Sequence, residues 1–121
     1  MSDRMIFVCS YGKDDPERAI VAFAAANTAA IAGIPTAVLC TIEGVWIGTE
    51  GGTEGFEKEG LPDLPELFAS VVDNGGEVWM CGICTRPRGI TEEQCVKGAK
   101  IVGAATVVEE VANGAKLLKY A

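Results

Sequence analysis

Apolar and polar positions fall into two kinds of block along this chain. Short, nearly unbroken apolar runs alternate with longer stretches of helical spacing. The runs are Met5 to Cys9, Thr36 to Thr41, Glu77 to Cys81, Lys100 to Gly103 and Lys116 to Tyr120. Runs this short and this apolar read as strands covered on both faces. The first long stretch predicts a helix from Pro16 to about Ala32. Asp15 is its N-cap, Pro16 its first residue and Gly33 its stop. Asp63-Leu64-Pro65-Glu66 opens a second helix, which runs to Asp73 and ends at Asn74-Gly75-Gly76. A third covers Ala105 to Asn113, stopped by Gly114. Thr91-Glu92-Glu93-Gln94 is a capping-box pattern and predicts a short helix that takes in Cys95.

Two segments fit neither block. Ile42 to Gly48 is apolar but short, and suits one or two helical turns. Thr49 to Gly60 is glycine-rich and acidic, and reads as an exposed loop and a candidate lid. Strands that alternate with helices predict a three-layer α/β/α sandwich. Its sheet is mostly parallel, with about five strands counted from the apolar runs. Neither a repeat nor a linker interrupts the pattern, so residues 1–121 read as a single domain.

Composition narrows the function classes. Hydrophobic residues make up 49% of the chain, enough for a core without disulfide staples. No apolar stretch approaches the ~20 residues of a bilayer span, and Met1-Ser2-Asp3-Arg4 opens no secretory signal. The expectation is a cytoplasmic protein with no membrane partner. The net charge of -7 and the scattered basic residues exclude a nucleic-acid surface. Five cysteines and no histidine argue against a disulfide framework, Cys-His catalysis and a histidine-containing zinc site. No metal and no organic cofactor is expected.

The thiols carry the candidate chemistry. Cys9, Cys40 and Cys81 each end a predicted strand, where sites form in parallel sheets. Cys9 and Cys40 read as small buried hydrophobes, and so does Cys95. Cys81-Gly82-Ile83-Cys84 differs, because it runs from a strand end into a loop. Arg86 and Arg88 follow closely, and cationic neighbours favour the thiolate, the reactive form of cysteine. Pro87 is expected to hold Arg86 extended, so that the loop is shaped in advance. Cys81 and Cys84 are the candidate catalytic residues, and Arg86 and Arg88 the candidate binding residues. Three chemistries suit the pair. Dithiol redox is one, although no long helix follows directly as it does in thioredoxin. A metal half-site is another, although no second C-x-x-C completes it. The third is sulfur relay, in which a thiolate takes up a sulfane sulfur as a persulfide and passes it on.

Val78-Trp79-Met80-Cys81-Gly82-Ile83-Cys84-Thr85-Arg86-Pro87-Arg88-Gly89-Ile90 resembles the central motif of DsrE-like proteins, the DsrE, DsrF and TusD type of sulfur-relay protein. Gly12 to Ala19 is similar to that family's first loop and helix start. Gly44-Val45-Trp46 and Gly98 to Ala104 extend the likeness over nearly the whole chain. The resemblance implies a parallel α/β sandwich, a homo-oligomer (trimer or hexamer), and Cys81 as the sulfur-carrying position. It also implies sulfur donor and acceptor proteins as partners. Cys84 then assists or resolves. A non-catalytic binding module of the same fold is the alternative from another class.

Overall fold

A computed structural model describes residues 2–119. Strands β1 (Met5–Cys9), β2 (Thr36–Cys40), β3 (Glu77–Cys81), β4 (Ala99–Val102) and β5 (Lys116–Lys119) form one sheet in the order β4-β3-β2-β1-β5. Every neighbouring pair is parallel. The sandwich expected from the sequence is therefore present. Tyr120, placed in the last strand from the sequence, lies outside the described residues.

Helices α1 (Pro16–Ile31) and α2 (Leu64–Asp73) cover one face. Asp15 caps α1 as expected, its carboxylate accepting from the Arg18 N–H at 3.2 Å. The alanines of α1 let the helix approach closely: Ala19, Ala22 and Ala26 are fully buried against the strands. Phe23 of α1 stacks on Phe68 of α2, with centroids 5.9 Å apart. The inward residues of this face are Phe7, Cys9, Val38, Cys40 and Val78. A strand repeats every second residue, so Ile6, Ala37, Leu39 and Trp79 point to the opposite face. Helix α4 (Ala104–Ala112) covers that side, and none of its residues is buried.

The three segments that join strands at the carboxyl rim depart from the sequence expectation in instructive ways. The 49–60 loop is not simply exposed. Phe56 is 1% exposed and packs into the α1–α2 core, which fastens the loop at its middle. Burying a phenylalanine stabilises by about 2–3 kcal/mol, which offsets part of the cost of ordering this glycine-rich loop. Cys95 is not helical. The capping box does form, but it closes only a 3-10 turn, Glu92–Gln94. Cys95 then pairs with Thr49 in an isolated antiparallel bridge.

The third departure concerns Arg86. It is not extended: its φ and ψ are -57° and -53°, right-handed helical. The chain leaves β3 directly into a short helix, α3 (Gly82–Thr85), and then a 3-10 turn over Arg86–Arg88. The steric preference of a residue before proline is overruled by bonds that close this turn. The Thr85 hydroxyl donates to the Gly82 carbonyl at 3.2 Å, and the Arg88 guanidinium donates to the Cys84 carbonyl at 3.0 Å. Pro87, which has no N–H to donate, sits where the α-turn gives way to the tighter one. Gly89, at φ 69°, ends the turn and returns Ile90 to the interior.

Candidate functional site

The rim thiols fall into two groups. Cys9 and Cys40 are register partners on β1 and β2, and both are fully buried on the α1 face. Burial pushes the Cys9 thiol up to about 11, with a smaller rise from Asp14 and an opposing backbone hydrogen bond from Tyr11. Burial also raises Cys40, and the neighbouring Cys9 adds to it. Neither is a thiolate near neutral pH. The sequence reading that these are buried hydrophobes describes them well.

Cys81 does not join them. Cys40 is in register with Met80, so Cys81 lies one residue further along and on the opposite face. It is half-buried and borders a small apolar cleft of about 190 Å³ with Leu39, Val102 and Val107. Its position is set by β3, whose last register pair is Cys81 with Val102 of β4. The rigid strand end therefore holds the sulfur at the carboxyl rim, next to solvent.

Helix α3 brings Cys84 back to Cys81. The two side chains stand three positions apart across this turn, and Cys81 acts on the Cys84 thiol. Cys84 is raised above the ordinary thiol range, first by burial and then by the neighbouring Cys81. Two groups oppose the rise: a backbone hydrogen bond from Ile42 and the charge of Arg88.

The two arginines differ. Arg88 is partly buried and its Nε donates to the Glu43 carboxylate at 2.9 Å. It thus ties the Cys84 turn to the segment after β2, and its charge acts on Cys84. Arg86 is exposed, and its guanidinium makes no ion pair or side-chain hydrogen bond among the described residues.

Sequence reasoning missed Ile42 and Glu43. They start the 3-10 segment Ile42–Gly48 that follows β2. Ile42 has φ 54°, the left-handed region, which is costly for a β-branched residue. Gly12 and Gly44 hold the segment tight against the β1 loop: a Cβ on Gly12 would meet the Glu43 carbonyl, and one on Gly44 the Cys9 carbonyl. A single charge inside the apolar run Ile42 to Gly48 was the available signal for Glu43. No signal marks Ile42, because isoleucine disfavours the conformation it adopts.

Among the described residues, no three cysteine, aspartate or glutamate side chains gather as metal ligands. No helix among them is long and apolar enough to cross a membrane.

Fold and rim together define a parallel α/β protein with two neighbouring, partly exposed thiols at a strand's carboxyl end. The model of the DsrE/DsrF-like family matches residues 3–120, and the chain belongs to that family. Among curated proteins it is 29% identical over 99 residues to the uncharacterized protein MK0008 of Methanopyrus kandleri, covering 82% of this chain and 78% of that protein. It is 34% identical over 91 residues to the uncharacterized protein MJ0989 of Methanocaldococcus jannaschii, covering 75% of this chain and 74% of the other. Two solved structures share the fold. The ychN protein of E. coli superposes with a TM-score of 0.68 at 18% identity, over 99% of this chain and 100% of that one. The MTH1491 protein of Methanobacterium thermoautotrophicum gives 0.72 at 15% identity, over 96% and 97%.

Proposed function

We propose that this protein carries sulfane sulfur as a persulfide on Cys81, in the manner of sulfur-relay members of its family. The observation that carries the reading is the neighbouring pair of partly exposed thiols, Cys81 and Cys84, at the carboxyl end of β3. In the step, the Cys81 thiolate attacks the outer sulfur of a persulfide donor, R–S–SH. A Cys81 S–S bond forms, the donor's S–S bond breaks, and the donor leaves as the thiolate R–S⁻. A second thiolate takes the outer sulfur in the same way and returns Cys81 to its thiolate. Cys84, three residues on across helix α3, is the neighbouring thiol. It is also the internal resolving thiol. Attack of Cys84 on the inner sulfur of the loaded Cys81 gives a Cys81–Cys84 disulfide and releases HS⁻.

The same pair favours a second reading, dithiol redox, in which it cycles through that disulfide without carrying sulfur. One experiment separates them. The reduced protein is incubated with a polysulfide donor and its intact mass is measured. A gain of about 32 Da, lost in Cys81→Ser and kept in Cys84→Ser, supports the relay. A loss of about 2 Da in wild type with no gain of about 32 Da in Cys84→Ser, where no resolving thiol can discharge Cys81, supports redox alone. No mass change under conditions that load another carrier thiol would leave only the non-catalytic module.

Site and assembly belong together in this reading. Ile83 beside the thiols, Val108 and Val111 on α4, and Leu117 on β5 are all exposed apolar residues. They suit a homo-oligomer, a trimer or hexamer, working in the cytoplasm with sulfur donor and acceptor proteins. A monomeric mass by light scattering at micromolar concentration counts against it.

A further inference from the structure

A second concavity lies at the same rim, apart from the thiols. It is a cavity of about 410 Å³, within the size range of small-molecule sites. Three loops build it, following β1, β2 and β3. Lys13 comes from the first, Glu43, Trp46 and Glu50 from the second, and Gln94 from the third. Cavities beyond the carboxyl ends of parallel strands are where such folds bind ligands.

The walls are built rather than casual. The second and third loops are joined by the Thr49–Cys95 bridge and by the Glu50 N–H donating to the Gln94 carbonyl at 3.1 Å. The turn at Gly52 folds onto the Trp46 carbonyl so closely that any Cβ there would collide with it.

The polar groups that face the cavity are unspent. Neither the Lys13 ammonium nor the Glu50 carboxylate has an ion pair or side-chain hydrogen bond among the described residues, and the Trp46 indole N–H has no acceptor. Glu43 is already neutralised by Arg88. With Glu43 paired to Arg88 from outside the lining, one free cation and one free anion remain, beside a 37% exposed indole. A ligand of single charge would leave one of these groups facing a like charge. A neutral zwitterion satisfies both.

We infer that this cavity binds a small zwitterion of the α-amino-acid type. Its carboxylate pairs with Lys13, its ammonium with Glu50, and its side chain lies on Trp46. The inference goes beyond the persulfide reading and does not need it. Cys81 and Cys84 are not in the lining, and Glu43 and Arg88 connect it to the Cys84 turn.

The test uses the whole chain, kept reduced and labelled with nitrogen-15. The indole N–H signals of Trp46 and Trp79 are followed while L-cysteine, cysteamine or 3-mercaptopropionate is added. Trp79 donates to Glu77 at 3.0 Å from inside the opposite face and serves as the internal control. Cysteine should shift the Trp46 signal at millimolar concentration. Cysteamine lacks the carboxylate and 3-mercaptopropionate the ammonium, so each should bind roughly tenfold more weakly. Lys13→Met and Glu50→Gln change exposed side chains and should each weaken cysteine by a similar factor. The Cys81→Ser/Cys84→Ser protein should bind as the wild type does, which separates this result from any failure of the sulfur reading. Equal binding of all three compounds, or a Trp46 signal that does not move, overturns the inference.

Discussion

Two pairs of cysteines stand at the same rim, and the fold treats them in opposite ways. Cys9 and Cys40 end adjacent strands on the face that α1 covers, and no solvent reaches either. Cys81 ends the next strand one residue later, and that single step of register turns it to the thinly covered face. Side-chain direction in a strand repeats every two residues, so one residue decides between a core thiol and a reachable one. The residue type and the strand-end position are shared. What separates a packing atom from a candidate nucleophile is the helix above it.

The largest expected consequence is in alkylation rate. With a small maleimide on native protein, Cys81 and Cys84 should react at least ~1,000-fold faster than Cys9 and Cys40, which need an opening of the α1 face to be reached. Peptide mapping of the labelled sites after timed quenching reads this directly. Comparable rates for the two pairs would break the comparison.

A second consequence appears in alkaline stability. The folded protein holds the Cys9 proton up to about 11, against an ordinary 9.0. The folded state therefore binds this proton more tightly than the unfolded chain does. The stabilisation is complete below pH 9, declines as pH rises from 9 to 11, and is gone above that. Two pKa units correspond to about 3 kcal/mol. Urea unfolding across that range should show the decline, and Cys9→Ala should flatten it. Cys40 is raised in the same direction, so its contribution is lost at still higher pH. Cys84 is raised as well but only partly buried, so Cys84→Ala should flatten the slope less than Cys9→Ala does.

The contrast between the pairs was partly readable from residues alone. The strand runs and helix caps were legible because they are local. Asp15 with Pro16, and Asn74-Gly75-Gly76 after α2, mark their boundaries by chemistry that acts within one turn. The burial of Cys9 and Cys40 followed from the habit of free cysteine, which is among the most buried residue types. The inner architecture of the site was not legible, because it is made of contacts distant in sequence. Arg88 meets Glu43 across 45 positions. Arg86 is helical against its local preference because Thr85, Arg88 and Ile90 close the turn around it. Phe56 sits in a loop whose composition is polar, and only the shape of the α1–α2 core explains its place.

The Arg88–Glu43 pair offers a finer probe of the open thiols. Arg88 lowers the Cys84 thiol against the rise that burial imposes. Arg88→Gln should therefore raise it further and slow Cys84 alkylation near pH 8 by roughly threefold, a modest factor because the pair is partly solvated. Glu43→Gln leaves the guanidinium unpaired and should act in the opposite sense. Cys81→Ser removes the influence of Cys81 on its neighbour and should also bring Cys84 down. A pH–rate profile of Cys84 labelling in each variant gives the three signs. If Arg88→Gln and Glu43→Gln moved the profile the same way, the pair would matter through the shape of the turn and not through charge.

The smallest effect is the most local. The buried pair sits on regular strands, whereas the open pair depends on Ile42 at φ 54°. A left-handed conformation costs an L-residue about 1–2 kcal/mol, and glycine escapes that cost while losing about 0.5–1 kcal/mol to its greater freedom in the unfolded chain. Ile42 is 51% exposed, so its side chain adds little by packing. Ile42→Gly should then stabilise the protein by about 0.5 kcal/mol, measured as a higher urea midpoint at unchanged slope. The Cys84 profile should stay where it is, because glycine keeps the backbone N–H and accepts the same φ. Stabilisation together with an unmoved profile means that the strain belongs to the residue and the hydrogen bond to the backbone path. A rise in stability accompanied by loss of the Ile42 bond, seen as an upward move of Cys84, would mean instead that the isoleucine side chain holds the loop against the thiols, and that the open pair is kept in place by packing after all.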